Sequence, residues 1–233
     1  MRRRHRHFNP AHANAAMAFD SRYGFSQSDN TAVSTWSGRS GTTISATQSS
    51  ASNQPTYQTN EIGGQPVISF DGANDTLIHT ANNNANCVWM VVAKIRSLQS
   101  SFKGFAAAGP NNSDGTMILS RTNLSGGSGP WGTYVSGSFG VGSNTIPTNN
   151  VAYIFSMVDN GGSGGSFFLN GASDGSYVGN ARGQSTKHIG GNLTDGQITA
   201  SDIGNVTLMP DITTPLRKRL EHSAAYSFKI ACN

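Results

Sequence analysis

The sequence predicts an all-β domain, and three observations carry that expectation. Glycine supplies 28 of 233 residues and Asn, Ser and Thr crowd the rest, so turn formers abound and helix formers are scarce. Short apolar runs rich in β-branched and aromatic residues recur between those turn formers. One segment alone has helical spacing. A single unit fits the length, since β-sandwiches and barrels often reach about 200–250 residues, and no stretch reads as a linker. Residues 1–17 are read as a basic arm and 18–233 as the domain.

Up to about residue 60 the pattern is weak, with Trp36 and Tyr57 as large anchors, which predicts loop-like chain wrapped on a body. Strand signals then begin at Val67–Phe70 and Thr76–Thr80. Cys87–Ile95 is nearly continuous in apolar character, as in a strand covered on both faces. Met117–Arg121 and Trp131–Val135 follow. In Val151–Val158 the large set Val151, Tyr153, Phe155 and Met157 alternates with smaller residues, which predicts a central strand. The glycine-rich run 159–165 links it to Ser166–Asn170 as a hairpin, and Asn170-Gly171 is a tight-turn signal. Lys187–Gly190 and Gln197–Met209 complete the strands. The helix starts with Thr214 as N-cap and Pro215 in the first turn, and Leu216, Leu220, Ala224 and Phe228 form one stripe. Arg217, Lys218 and Arg219 fall on its polar side, at the end where the macrodipole disfavours cations, so a solvated face or a neighbouring acid is expected there.

Charge is sparse: 16 Lys+Arg against 12 Asp+Glu, only 12% of residues in all. Arg2, Arg3, Arg4 and Arg6 account for the whole excess, and the remaining 227 residues carry 12 of each sign. A broad nucleic-acid face on the body is thereby excluded, because it needs clustered surplus cations. The arm is the docking candidate. Four phosphate contacts would give a salt slope of only about −3.6, so contact with nucleic acid through one arm is weak and a multivalent assembly is needed. Two cysteines, Cys87 and Cys232, make no disulfide framework, and their pairing is left open. No apolar run approaches the ~18 residues of a membrane span, and polar residues interrupt the stretch after the basic N-terminus, so neither membrane insertion nor an export signal is expected.

Four pieces carry a family resemblance. Thr35-Trp36-Ser37-Gly38-Arg39-Ser40-Gly41 with Asn53-Gln54-Pro55-Thr56-Tyr57 is the first, and Gly64 through Leu77, with its Phe70-Asp71-Gly72 turn, is the second. Ser166-Phe167-Phe168-Leu169-Asn170-Gly171 is the third, and Ile203–Leu208 with the segment Leu216–Ile230 is the fourth. In this order they resemble the concanavalin A-like, laminin-G-like jelly roll found in bacteriophage structural proteins and bacterial surface proteins, over residues 18–231. The resemblance implies an all-β jelly-roll β-sandwich with one short C-terminal helix.

Relatives of that fold include polysaccharide-cleaving enzymes, which need two carboxylates about 5–9.5 Å apart. Glu61 and Glu221 are the only glutamates, and neither has an acid two positions away, while Asp71 and Asp75 read as turn formers. No Gly-x-Ser-x-Gly elbow occurs. His5, His7 and His12 lie in the arm, and His79, His188 and His222 read as satisfied polar groups. Calcium-assisted sugar binding is also implied by the resemblance, with Asp71, Asn74, Asp75, Asp159 and Asp202 as oxygen donors; turn formation is the favoured reading of these residues, so no cofactor is required. Sugar recognition wants an aromatic platform, for which Trp131 and Tyr134 are candidates together with Asn74 and Asp75; burial in the sandwich is the competing reading of Trp131.

The expectation is therefore a non-enzymatic bacteriophage virion protein, a decoration or spike component. Its expected partners are other virion proteins such as the capsid, further copies of itself, and host-surface glycans. A bacterial lectin-like adhesion module and a polysaccharide-degrading glycosidase are the alternatives.

Overall fold

A computed structural model describes residues 15–39, 44–80, 87–97, 103–108, 114–119, 131–135, 138–140, 143–160, 164–178, 186–192, 197–210 and 213–233. Numbered along the chain, one sheet contains β1 (Met17–Asp20), β2 (Thr31–Ala32), β5 (Thr56–Ile62), β6 (Gln65–Asp71), β8 (Cys87–Ile95), β13 (Ala152–Asp159), β14 (Gly165–Leu169), β15 (Ala172–Tyr177) and β19 (Ala200–Pro210). The other contains β3 (Thr35–Ser37), β4 (Ser45–Thr47), β7 (Leu77–Thr80), β9 (Lys103–Ala108), β10 (Asp114–Leu119), β11 (Trp131–Val135), β12 (Ser138–Gly140), β16 (Thr186–Ile189), β17 (Gly191–Asn192) and β18 (Gln197–Ile198). The first sheet runs β15-β14-β13-β8-β19-β6-β5-β2, and the second β12-β11-β10-β9-β16-β7-β4-β3. The all-β sandwich with a C-terminal helix, α1 (Thr214–Phe228), is the observed architecture.

The sheets face each other across one apolar layer that takes Trp36, Phe70, Trp89, Phe105, Trp131, Phe155 and Phe167. Each such side chain contributes about 1.5–3 kcal/mol on leaving water. A second layer lies on the outer face of the first sheet, under α1, where Met90, Val92, Ile154 and Met209 meet Leu220, Ala224 and Phe228. Strand β8 therefore has both faces covered, as its nearly continuous apolar character predicts. Strand β13 lies between β8 and β14, in the central position expected of it. Asn170 and Gly171, at φ 51° and 82°, make the tight turn from β14 to β15, where both residues must be left-handed.

Three expectations need correction. Strand β1 is not wrapped loop: it pairs with β19 along Met17–Asp20, and Ala15 and Met17 are buried, so the body begins inside the stretch read as arm. All four residues of β1 are buried because Met17 and Phe19 face the inter-sheet core while Ala18 faces the helix layer, which leaves no polar alternation to read. Thr56–Ile62, also within that stretch, is a strand in a hairpin with β6.

The helix is capped by Thr213, not Thr214. Thr213 is extended at φ −81° and ψ 154°, and its carbonyl accepts the N–H groups of Leu216 and Arg217. Arg217 is buried instead of solvated. Its guanidinium pairs with Glu221 one turn on at 2.5 Å and lies 3.5 Å from the Phe168 ring centroid, while Lys218 and Arg219 stay exposed. No helix among the described residues is long and apolar enough to cross a membrane.

Candidate functional site

Asn74 and Asp75 sit where the turn reading places them. Asp71 accepts the N–H groups of Ala73, Asn74 and Asp75 through one oxygen, at 2.8–3.3 Å, and Asp75 accepts the Asp71 N–H at 2.9 Å. Burial works against the Asp71 carboxylate, but those bonds and Arg96 hold its pKa below the usual value. Asp75 is only 6% exposed, and burial pushes its carboxyl up to about 6. Both carboxylates are committed to shaping the turn. Of the other proposed oxygen donors, Asp202 is held by Lys94 at 3.0 Å, Arg96 at 3.3 Å and the Ser69 hydroxyl at 2.8 Å. Asp159 stands opposite Cys87, at the far end of β8 from Lys94 and Asp202. Among the described residues no three His, Cys, Asp or Glu side chains come together as a metal site.

Trp131 belongs to the interior. Its ring is fully buried, edge-on to Phe155 and Phe167 at 5.1 and 4.9 Å, and its Nε1–H donates to Asp174 Oδ2 at 2.7 Å. An indole held there offers no face to a sugar, so the exposed platform expected of it is corrected to a core anchor. Tyr134 lies in β11 opposite Thr116 and Phe139, and its side chain is outside the described residues. So are Arg2, Arg3, Arg4 and Arg6 of the docking arm, and His5, His7 and His12.

The remaining histidines divide. His79 places Nδ1 2.8 Å from the Ser45 carbonyl, and His222 places Nδ1 2.7 Å from that of Lys218. His188 departs from expectation: it is buried with neither ring nitrogen hydrogen-bonded, and burial lowers its pKa. The two cysteines are free thiols. Cys87 faces the inter-sheet core and Cys232 packs by the helix layer; burial raises the Cys87 thiol to about 12, which keeps it unreactive.

Two surface depressions carry polar groups. One, of about 420 Å³, is lined by Ser34, Thr35, Thr47, Gln48, Ser49 and Ile78. Its amide is spent: Gln48 donates to Thr76 O at 3.1 Å and accepts Ser50 N–H at 3.0 Å.

The other, of about 570 Å³, lies at the C-terminal end of α1 and is lined by Arg22, Gln65, Ala225, Tyr226, Ser227 and Lys229. Four separate segments build it. Strand β19 passes from β6 to β1 at Gly204, where its register shifts, and the Ser21 hydroxyl lies 2.9 Å from Gly204 O and 2.6 Å from Pro66 O. The Phe228 ring rests on Gly204, since a Cβ there would collide with its Cε1. The β5–β6 turn needs Gly63 and Gly64 at φ 59° and 81°, and a Cβ on Gly63 would strike the Phe228 carbonyl. Lys229 ends the helix left-handed at φ 53° and donates its N–H to Ala225 O, as in an αL cap.

Charged and polar groups gather at this pocket. Asp20 grips Arg22 by Nε at 2.8 Å and by Nη2 at 2.6 Å, with Nη1 making no hydrogen bond among the described residues, and Arg39 stacks 3.5 Å from the Tyr23 ring centroid. Burial alone would lower the Arg22 pKa, but the bonds to Asp20 and its charge raise it, so the guanidinium is permanently cationic. Tyr226 is 65% and Tyr23 42% exposed. Gln65 and Lys229 have no side-chain hydrogen bond or ion pair among the described residues, and the Ser227 hydroxyl is buried without a partner. The sequence marked Tyr226–Ile230 only as the family-like end of the helix. The adjacent Gly63-Gly64 pair was the available signal for a close approach.

No protein-family model and no curated protein matches the chain. Solved structures similar to it include the botulinum neurotoxin serotype D ligand binding domain in complex with N-acetylneuraminic acid, at TM-score 0.56 and 10% identity over 92% of this chain and 51% of that one. The receptor binding domain of a serotype C/D mosaic botulinum neurotoxin matches at TM-score 0.57 and 9% identity, over 90% of this chain and 51% of that one. Trypanosoma rangeli sialidase in complex with 2,3-difluorosialic acid matches at TM-score 0.58 and 13% identity, over 92% and 33%. This chain spans about half the length of the toxin domains and one third of the sialidase. At such identities the shared property is the β-sandwich fold.

Proposed function

We propose that the protein binds glycans without cleaving them, through the pocket at the end of α1, as a component displayed on a virion surface. The observation that carries the reading is the grouping in one open pocket of an exposed ring, Tyr226, with the side chains of Gln65 and Lys229, which make no hydrogen bond or ion pair among the described residues. A sugar offers just these partners: an apolar ring face to stack and hydroxyls to bond. The N-acetylneuraminic acid and sialic acid analogue bound to two of the structural neighbours support a saccharide ligand. The order of the four jelly-roll-like motifs supports the virion setting, with capsid or other virion proteins and further copies of the chain as partners. Binding without catalysis agrees with the commitment of Asp71, Asp75 and Asp202 to local structure.

A glycan array tests the reading on the wild-type protein and Tyr226→Ala, with and without chelator. Binding of at least one glycan, lost in Tyr226→Ala and indifferent to chelator, is expected; an array blank in every condition overturns it. Abundant copies in purified phage particles are expected for the virion role, and their absence there overturns it. Release of reducing sugar from a bound polysaccharide would replace binding with hydrolysis.

A further inference from the structure

We infer that the helix-end pocket selects glycans bearing a carboxylate, an inference that rests on the glycan-binding reading above. The charges around the pocket do not cancel. Asp20 is the one acid of the group, and it is shared between Arg22 at 2.6 Å and Arg39 at 3.6 Å. Lys229 adds a third cation with no ion pair among the described residues, so the group carries a surplus of two positive charges in a body whose charges balance only when this group is counted.

The helix end places Lys229, and the Asp20 carboxylate holds Arg22. Lys229 is held left-handed at the helix end, and its Nζ hangs 3.7 Å from where a Cβ on Gly64 would stand, above the β5–β6 turn that also carries Gln65. Arg22 is locked by its two bonds to Asp20 and lies 5.2 Å from the Phe228 ring, which leaves Nη1 to donate. The last carbonyls of α1 face the same region, and their partial negative charge would repel an anion. Lys229 and Arg22, which line the same pocket, offset that repulsion. A planar carboxylate takes hydrogen bonds from a fixed guanidinium and an ammonium together. The Tyr226 ring, 65% exposed, lines the same pocket and can take the sugar face. A neutral sugar can use Tyr226 and Gln65 but leaves the surplus positive charge unanswered.

The test is calorimetric titration with uronic-acid and N-acetylneuraminyl oligosaccharides, each beside its carboxyl-reduced form. Charge-assisted hydrogen bonds predict that the acidic member of each binding pair is about tenfold or more tighter. Lys229→Asn removes the ammonium with a residue that accepts the left-handed cap, and it is expected to erase the preference for acid, so that the acidic and reduced forms bind alike. Tyr226→Ala is expected to lose both. Equal affinity for acidic and reduced forms, or a preference that survives in Lys229→Asn, overturns the inference and leaves glycan binding intact. Absence of binding to any saccharide overturns glycan binding itself. Circular dichroism of each variant confirms that the fold is retained.

Discussion

The ring of Phe228 occupies the space that a side chain at Gly204 would need. A Cβ there would stand 2.7 Å from Cζ of the ring, closer than carbon atoms tolerate. The last turn of the helix and the bulge of β19 are thus fitted to each other, and the pocket inherits its shape from that fit.

Gly204→Ala is accordingly expected to destabilise the protein by about 1–3 kcal/mol, the usual cost of overpacking. Because Phe228 must move, glycan affinity should fall together with stability. Thermal melting and titration of one sample check both, and a variant that melts like wild type contradicts the packing argument.

Asp174 joins two elements of the sandwich end, accepting from Trp131 Nε1 at 2.7 Å and from the Thr145 hydroxyl at 2.5 Å. Asp174→Ala leaves the buried indole N–H unpaired. A loss of about 1–3 kcal/mol in urea unfolding is expected, along with a change in tryptophan near-ultraviolet dichroism.

Arg217 and Glu221 form a buried pair on the face of α1 that meets β14. Glu221→Ala strands a cation away from water and is expected to cost about 3–5 kcal/mol. The double variant Arg217→Met with Glu221→Leu removes both charges and should recover most of that loss. The denaturation midpoint reports the result.

Asp75 gives a pH signature of defined sign. Its folded pKa is raised to about 6 by burial, above the usual value of about 3.9. Its stabilising contribution is therefore complete below about pH 4 and is lost as pH rises through about 6. Unfolding free energies of wild type and Asp75→Asn across pH 3–8 should diverge over that window, wild type losing stability relative to the variant and levelling off above it.

The sequence exposed the elements whose chemistry is local. Cys87–Ile95 reads as a doubly covered strand because Cys87, Trp89, Val91, Ala93 and Ile95 face the core while Met90 and Val92 lie under the helix, so apolar character runs on to Ala93 and only Lys94 interrupts it. Asn170-Gly171 reads as a turn because few residues accept positive φ. Strand β1 stayed hidden because Asp20 is buried by pairing with Arg22 and Arg39, an arrangement no period in the sequence announces. Trp131 shows the opposite error: aromatic rings serve equally as platforms and as core, and Asp174, 43 residues away, decides between them. The pocket at the helix end was illegible for a related reason. It joins residues near 22, 65, 204 and 227, and only the fold brings these together.

Strand β19 borders β8 along one side and serves β6 and then β1 on the other, so residues 200–210 complete a sheet whose other members lie as far back as residue 17. During synthesis the strands made first have no centre to close on. The hairpin of β5 and β6 can form early, but β1 waits with its main-chain donors and acceptors unpaired until nearly nine tenths of the chain exists. Such non-local pairing makes folding slow and exposes strand edges to neighbouring nascent chains. The closing step belongs to the C-terminal segment, and a ribosome that stalls before residue 200 holds two unjoined halves of one sheet.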